Sequence, residues 1–434
     1  MLVSRHLAVS SMLLGSLSAA AQPHDLIGYW QNWNDPNAPY MELSEVDPRY
    51  TIIEVAFAEP AVGTTFDMVF ALAETDEATF TADVAALQAG GRKVLISVGG
   101  ANATVRLNTE DERDQFVTSM LGIMDAYGFD GMDLDLEGTS VNISGGVISA
   151  PSDATIINLI AAVNSIADAF EIQHGHRMML TMAPETAYVQ GGQSAYGGIW
   201  GAYLPIIDAL RARLDVLQVQ LYNSGSMYGI DGAIYEQGTA DFIVSQTDAL
   251  LQGFSTAGGF FAGLPANKIA VALPACPSAA GGGFTSVEVV ADAINYLRGD
   301  GPRPEAYVLD GPHPDLRGMM TWSINWDAVA TCNDNAYEYA RSYEDIFGLP
   351  TSTRALPEQG EAVVWPTHLR IGDDLHMPVL DGALLVYDPI GRSMGRLSIR
   401  GGRVTIPTSF NTGLYRGGYH DAAGAFHGVT FMIE

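Results

Sequence analysis

The sequence predicts an α/β protein: a (β/α)8 barrel followed by a small all-β C-terminal domain. Three observations carry that expectation. Eight short runs rich in Val, Ile and Leu alternate with amphipathic, helix-like stretches up to Leu349. Beyond that residue the pattern changes to short alternating runs of the kind that form antiparallel strands. The 434 residues also suffice for a barrel, which usually takes about 200 to more than 400 residues, plus an accessory domain.

The strand candidates are "LIGYW" (26–30), "TIIEVAFA" (51–58), "KVLISVGG" (93–100), "GMDLDLE" (131–137), "RMMLTMAP" (177–184), "DVLQVQLYN" (215–223), "KIAVALPA" (268–275) and "GMMTWSIN" (318–325). Between them lie amphipathic segments such as 111–128, 152–170 and 286–297, with Ser152 and Ser286 where helix N-caps belong. A doubly wound open sheet is the alternative. It would want a glycine-rich phosphate loop after the first strand, where this chain has the aromatic and polar "GYWQNWNDPNAP". The barrel is preferred, over 24–349.

Residues 350–361, "PTSTRALPEQGE", have linker chemistry. Residues 362–434 then read as a small β-sandwich-like domain, with strands in 383–388, 395–407, 413–421 and 426–434 and with Tyr415, Tyr419 and Phe426 expected on its surface. At the other end, 1–21 read as a signal peptide: Arg5 and His6, an apolar "LAVSSMLLGSL", and a small-residue cleavage site in "SAAAQ". No later run is expected to span a bilayer, so the mature chain is expected to be secreted. Its two cysteines, Cys276 and Cys332, are a candidate disulfide, with two free thiols as the alternative.

Lys and Arg total 21 against 50 Asp and Glu, a formal net charge of -29. Such a surface repels nucleic acid and anionic membranes, which argues against both as partners and for a neutral or cationic one. An acidic surface adapted to salt is an equal alternative.

Within "DGMDLDLEG", Asp133, Asp135 and Glu137 fall on every second residue. In a strand such residues share a face, each two-residue step covering roughly 6.5 Å. The three carboxylates therefore line the barrel interior and climb toward its C-terminal mouth, while Met132, Leu134 and Leu136 pack outward under the helices. Like charges in so poorly solvated a place cannot all ionise, so a proton is retained, which suits a general acid. A calcium site or a solvated edge strand is the bland alternative. Calcium loops, however, use a flexible, glycine-turned segment rather than an apolar-backed strand.

Other barrel chemistries fit less well. Lys93 and Lys268 begin their strands, at the wrong end for a Schiff base, and His174, His176 and His313 precede theirs, at the wrong end for a metal centre. No metal and no cofactor is expected. What remains at the strand ends is carboxylates, amides and aromatics: Tyr29, Phe57, Tyr222, Asn223 and Trp322, with Trp33 and Trp326 left open. Flat rings beside hydrogen-bonding groups suit a sugar, whose C–H face stacks while its hydroxyls bond sideways.

These motifs resemble glycoside hydrolase family 18, the chitinases and endo-β-N-acetylglucosaminidases. "DGMDLDLEG" is similar to the family's DxxDxDxE signature, "ISVGG" (96–100) to its S-x-G-G stretch, and "QVQLYN" and "MMTWSINWD" to the sixth and eighth strands of bacterial D-type chitinases. The resemblance covers 25–348. It implies that Glu137 is the acid, that Asp135 orients the substrate's N-acetyl group, and that Asp133 below exchanges a proton with it. Tyr222 would bond the acetamido carbonyl and Trp322 would floor the cleavage subsite, with Tyr29, Phe57, Gly99, Gly100, Met182, Gln220 and Asn223 at further substrate-binding positions. Many relatives have aspartate at Asn223, so the local charge differs here.

The resemblance further implies substrate assistance, a known property of this family, in which the 2-acetamido oxygen attacks the anomeric carbon. The expected partner is chitin or an N-acetylglucosamine oligosaccharide. An N-glycan endoglycosidase is the rival within the class, and a non-catalytic chitin-binding lectin the rival outside it. The short 275–318 connection, without the insertion some relatives carry, implies an open cleft. The C-terminal domain faintly resembles the sorting domains of type IX secretion, implying contact with export machinery and attachment at the cell surface; a carbohydrate-binding or fibronectin-like module is the rival.

Overall fold

A computed structural model describes residues 24–329, 335–348 and 368–433, the last span without 371, 378, 380, 388–392, 409 and 421–425. The expected signal peptide and linker lie outside the described residues. The chain divides into two compact units, Met1–Ser352 and Thr353–Glu434.

The first unit contains all eight expected strands: β1 (Asp25–Gln31), β2 (Ile52–Pro60), β3 (Lys93–Gly99), β4 (Gly131–Asp135), β5 (Met179–Met182), β6 (Val216–Leu217), β7 (Ala270–Pro274) and β8 (Gly318–Trp322). They pair in parallel in the order β7-β8-β1-β2-β3-β4-β5-β6. Isolated bridges from Leu217 to Ile269 and from Gln220 to Ala272 draw β6 to β7 and bring the ring nearly closed. Strands buried on both faces read as continuous apolar runs, and all seven residues of β1 are buried.

The helices are α1 (Glu77–Ala89), α2 (Glu110–Tyr127), α3 (Ala154–His174), α4 (Leu204–Leu210), α5 (Ala240–Gln252), α6 (Val287–Arg298), the single turn α7 (Ile324–Asp327) and α8 (Glu338–Phe347). Ser286 is the N-cap residue of α6 as expected, but Asp153 rather than Ser152 precedes α3. The Asp153 carboxylate is occupied by the backbone N–H and hydroxyl of Ser144, so it ties an incoming loop to the helix start. By length and composition α3 could cross a membrane, contrary to the sequence expectation. It instead buries Ile156, Leu159, Val163, Ile166 and Phe170 in the cluster between the helices and the barrel and packs on α2 and α4.

Period-two alternation yields two separate cores. Outward residues such as Met132, Leu134 and Leu136 join the large cluster beneath the helices. Inward residues including Ile27, Ile52, Leu95, Val216, Ala270 and Met320 fill the barrel interior.

The second unit has β9 (His368–Leu369), β10 (Asp374–His376), β11 (Asp381–Tyr387), β12 (Ser393–Arg400), β13 (Arg403–Thr405), β14 (Gly413–His420) and β15 (Phe426–Ile433). They form one sheet in the order β9-β15-β14-β11-β12-β13-β10, antiparallel except for the β9–β15 pair. Tyr415 and Tyr419 are not surface aromatics: both are buried with Leu384, Val386, Ile399 and Phe431. Each lies on the same face of β14, and Tyr415 donates from its hydroxyl to Asn411 O at 2.9 Å. The Phe426 side chain lies outside the described residues.

Candidate active site

On β4 the expected ladder is present. Asp133 and Asp135 are buried at 0% and 3% exposure, and the strand ends at Asp135, leaving Glu137 half-buried on the turn that follows. Asp133 Oδ2 accepts from Tyr29 Oη and Ser97 Oγ, both at 2.7 Å, and its Oδ1 accepts from Thr181 Oγ1 at 2.7 Å. One step up, Gln220 Nε2 donates to Asp135 Oδ1 at 2.9 Å and to Glu137 Oε1 at 3.0 Å, bridging the two carboxyls. Asp130 closes the lower end, taking Lys93 Nζ at 2.6 Å and Val94 N at 3.0 Å, a link between β3 and β4 rather than chemistry.

Two tyrosines hold the turn that carries Glu137. Tyr203 Oη accepts the Leu136 N–H at 2.8 Å and donates to Leu134 O at 3.3 Å; Tyr188 Oη donates to Gly138 O at 2.5 Å.

A fourth carboxylate, which the spacing argument does not single out, completes the column. Glu54 of β2 is fully buried, bonded by Gln218 Nε2 at 2.6 and 2.7 Å and by Thr181 Oγ1 at 2.8 Å. The available signal was a single carboxylate at mid-strand in the apolar "TIIEVAFA". Burial first, and then Asp133, raises the Glu54 carboxyl well above its ordinary range. Asp135 is also raised well above the usual carboxylate range, by burial and then by Glu137, Asp133 and Glu54, and a hydrogen bond with Glu137 acts in the same direction. Asp133 is raised by burial, against which its hydroxyl donors work. A second missed group, Glu185, lies just beyond β5 and is pushed up to about 7 by burial and then by Glu137. The column therefore retains protons that isolated carboxyls would lose, and it titrates as a set.

Aromatic rings gather beside these acids. Phe57 and Trp322 stack 10° from parallel with centroids 5.8 Å apart, Tyr29 lies 5.5 Å from Trp322, and Trp33 joins at 6.2 Å from Phe57. The Ala56–Phe57 and Trp322–Ser323 peptide bonds are cis. Trp326 is not part of this group; it is buried against Ala38, Ala275 and Cys276. Tyr222 is buried, and burial, followed by Asp135 and Glu137, raises its phenol well above the usual range, so it stays a hydrogen-bond donor.

Other expected positions turn out differently. Met182 pairs with Leu134 and Leu217 and packs in the cluster beneath the helices; its neighbours Thr181 and Ala183 take the inward places. Gly99 and Gly100 serve the backbone. At φ +111° a Cβ on Gly99 would strike Asp135 O, and one on Gly100 would lie 2.8 Å from the Phe57 ring. Asn223 adopts the left-handed φ of 54°, which asparagine tolerates, and its Oδ1 accepts from Gly282 N at 3.1 Å, so its amide faces a loop. Cys276 is buried, and no free thiol occurs among the described residues; Cys332 lies outside them.

Fold and site together define a parallel (β/α)8 barrel with a rising column of carboxyls and a stacked aromatic wall at its C-terminal mouth. The sequence profile described as "Glycosyl hydrolases family 18" matches residues 25–302, and the chain belongs to that family. It is similar to Chitinase Chi52 of Paenibacillus xylanexedens, 44% identical over 310 residues that cover 70% of this chain and 58% of the relative. It is 45% identical over 311 residues to Chitinase D of Niallia circulans, with the same shares covered. The chain thus spans little more than half the length of these relatives. Among solved structures, a family GH18 chitinase from Chromobacterium violaceum superposes with a TM-score of 0.67 at 37% identity, over 75% of this chain and 83% of that one.

Proposed function

We propose that this chain is an exported endo-chitinase that hydrolyses β-1,4-linked N-acetylglucosamine with the substrate's own acetamido group as nucleophile. The observation that carries this reading is the Asp135–Glu137 pair, bridged by Gln220 and bordered by Tyr222 and the Phe57–Trp322 stack. The names of the relatives support the substrate class.

In this reading a sugar ring lies on Trp322 and Tyr222 donates its hydroxyl hydrogen to the acetamido carbonyl. Asp135 accepts the acetamido N–H, turning the carbonyl oxygen toward the anomeric carbon. Glu137 gives its proton to the glycosidic oxygen as that bond breaks and the acetamido oxygen bonds to the anomeric carbon. The oxazolinium ion so formed is neutralised by the carboxylate of Asp135. Water then adds at the same carbon, losing a proton to Glu137, and the configuration is retained. No protein nucleophile is needed. Between β7 and β8 the described chain supplies only loops and α6, which supports an open groove and endo cleavage.

The test is product analysis on defined N-acetylglucosamine oligomers, read for the first-formed anomer, beside fully deacetylated chitosan and an N-glycosylated protein. Release of β-anomers from the acetylated oligomers alone is expected. Efficient cutting of the deacetylated polymer would remove substrate assistance. Trimming of the glycoprotein with no action on the oligomers would replace chitin as substrate.

A further inference from the structure

Glu54 lies below the groups used in that mechanism, yet it is wired to them. Thr181 Oγ1 stands between Glu54 Oε1, at 2.8 Å, and Asp133 Oδ1, at 2.7 Å. A threonine hydroxyl has one hydrogen to donate and cannot bond to two ionised carboxylates at once. One of the carboxyls must therefore supply a hydrogen to the threonine oxygen, so the trio holds a proton. The remaining donors are evenly matched: Gln218 Nε2 reaches both oxygens of Glu54, while Tyr29 and Ser97 both serve Asp133. Burial and Asp133 raise Glu54 well above its ordinary range, whereas the donors at Asp133 work against burial, so the proton rests mainly on Glu54. The titratable groups facing Glu54 are Tyr29 of β1, Asp133 and Asp135 of β4, and Tyr222 beyond β6. No cation is among the groups acting on it.

We propose that Glu54 is a positioning residue that stores one proton beneath the active site and exchanges it with Asp133 through the Thr181 hydroxyl. In one state the Glu54 carboxylic acid donates to Thr181 Oγ1, and the threonine hydrogen bonds to the Asp133 carboxylate. In the other the Glu54 O–H bond has broken, its hydrogen is on Thr181 Oγ1, and the former threonine hydrogen is on Asp133. Charge and atoms balance, and no co-reactant enters. Asp133 can then lend a proton upward to Asp135 and recover it from below. This deepens the reading of Asp135 and Glu137 as catalytic and rests on it.

The experiment compares pH profiles of kcat and KM for the full chain and three variants on a soluble N-acetylglucosamine oligomer. With Glu54→Gln the column loses a charge that helps it hold protons at high pH. The alkaline limb of kcat should move to lower pH by about half a unit or more, with KM unchanged. Thr181→Val, which removes the bridging hydroxyl, should also displace that limb, and Thr181→Ser should bring it back. Profiles that superimpose on the parent's would overturn the proposal, because a purely structural role lowers kcat without moving a limb.

A second readout needs no turnover. In the Asp135→Asn/Glu137→Gln background, the infrared difference on adding Glu54→Gln should show loss of a protonated carboxylic acid band at neutral pH. A flat difference spectrum sinks the stored proton. If the parent has no chitinolytic activity, the catalytic reading fails while this spectrum still decides the proton store.

Discussion

Tyr203 anchors Leu136: its hydroxyl accepts the Leu136 N–H at 2.8 Å, and both residues are buried. The next residue is Glu137, so the position of the proposed acid depends on the fully buried phenol of Tyr203. Tyr203→Phe leaves a buried N–H without a partner, a cost of about 1–3 kcal/mol. The melting temperature should fall accordingly, and kcat should drop roughly tenfold to a hundredfold as the acid shifts. An unchanged kcat would show that the turn is held by other contacts.

Glu137→Gln should lower kcat on N-acetylglucosamine oligomers by about a hundredfold to ten-thousandfold, the usual worth of a general acid. Binding, measured by calorimetry on the same oligomers, should persist, because the isosteric amide preserves the shape of the site. Retained turnover would refute the assigned acid.

Two Gly→Ala changes should have opposite signs. At Gly99 a methyl would meet Asp135 O on a left-handed backbone, so Gly99→Ala should lower both the melting temperature and activity, with strain of about 1–3 kcal/mol. Gly122 lies within α2 with open space around its missing Cβ. Gly122→Ala should therefore stabilise by about 0.5–1 kcal/mol and leave kcat alone. Thermal unfolding of both proteins checks the contrast; equal effects would disprove the close approach at Gly99.

The pH dependence of stability should carry a mark of Asp327. Buried where α7 meets α8, it accepts from Tyr50 Oη at 2.7 Å, Tyr339 N at 2.8 Å and Ala340 N at 3.1 Å. Burial outweighs these donors and raises its carboxyl to about 6, from an ordinary value of 3.8. Because the folded state holds the proton more tightly, this group's contribution is fully present below pH 3.8 and is lost as pH rises through about 6. The loss is about 3 kcal/mol at most, since each tenfold gain in proton affinity is worth about 1.4 kcal/mol. Asp327→Asn, though less stable in absolute terms, should remove that slope from urea-derived unfolding free energies between pH 4 and 6. The same slope in the variant would assign it elsewhere.

How much of this was legible in the residues depended on period and parity. The barrel was readable because its strands are apolar on both faces, and the ladder because Asp133, Asp135 and Glu137 keep a spacing of two. Glu54, Ser97, Thr181 and Gln218 were readable in principle, each a polar residue in an apolar strand and each turned inward. What hid them is that one strand shows only that such a residue faces a core; its partners come from strands far away in sequence. Met182 shows the converse. Its place came from the resemblance, whereas parity within β5, with Thr181 inward, sends it outward. Composition did hold a clue that Tyr415 and Tyr419 are interior, since β14 has two tyrosines and few aliphatic residues with which to fill its core face.

The column has a consequence for what this site should grip most tightly. The strongest influences on Glu54, Asp133 and Asp135 include no lysine, arginine or histidine, so the site is an ion pair awaiting its cationic half. In the proposed mechanism that half arrives only while the acetylated ring is transiently positive, and departs when water restores neutrality. Sugar mimics bearing a permanent positive charge at the anomeric carbon should therefore outbind neutral ones of the same shape, with a margin that grows as the carboxyls lose their last protons.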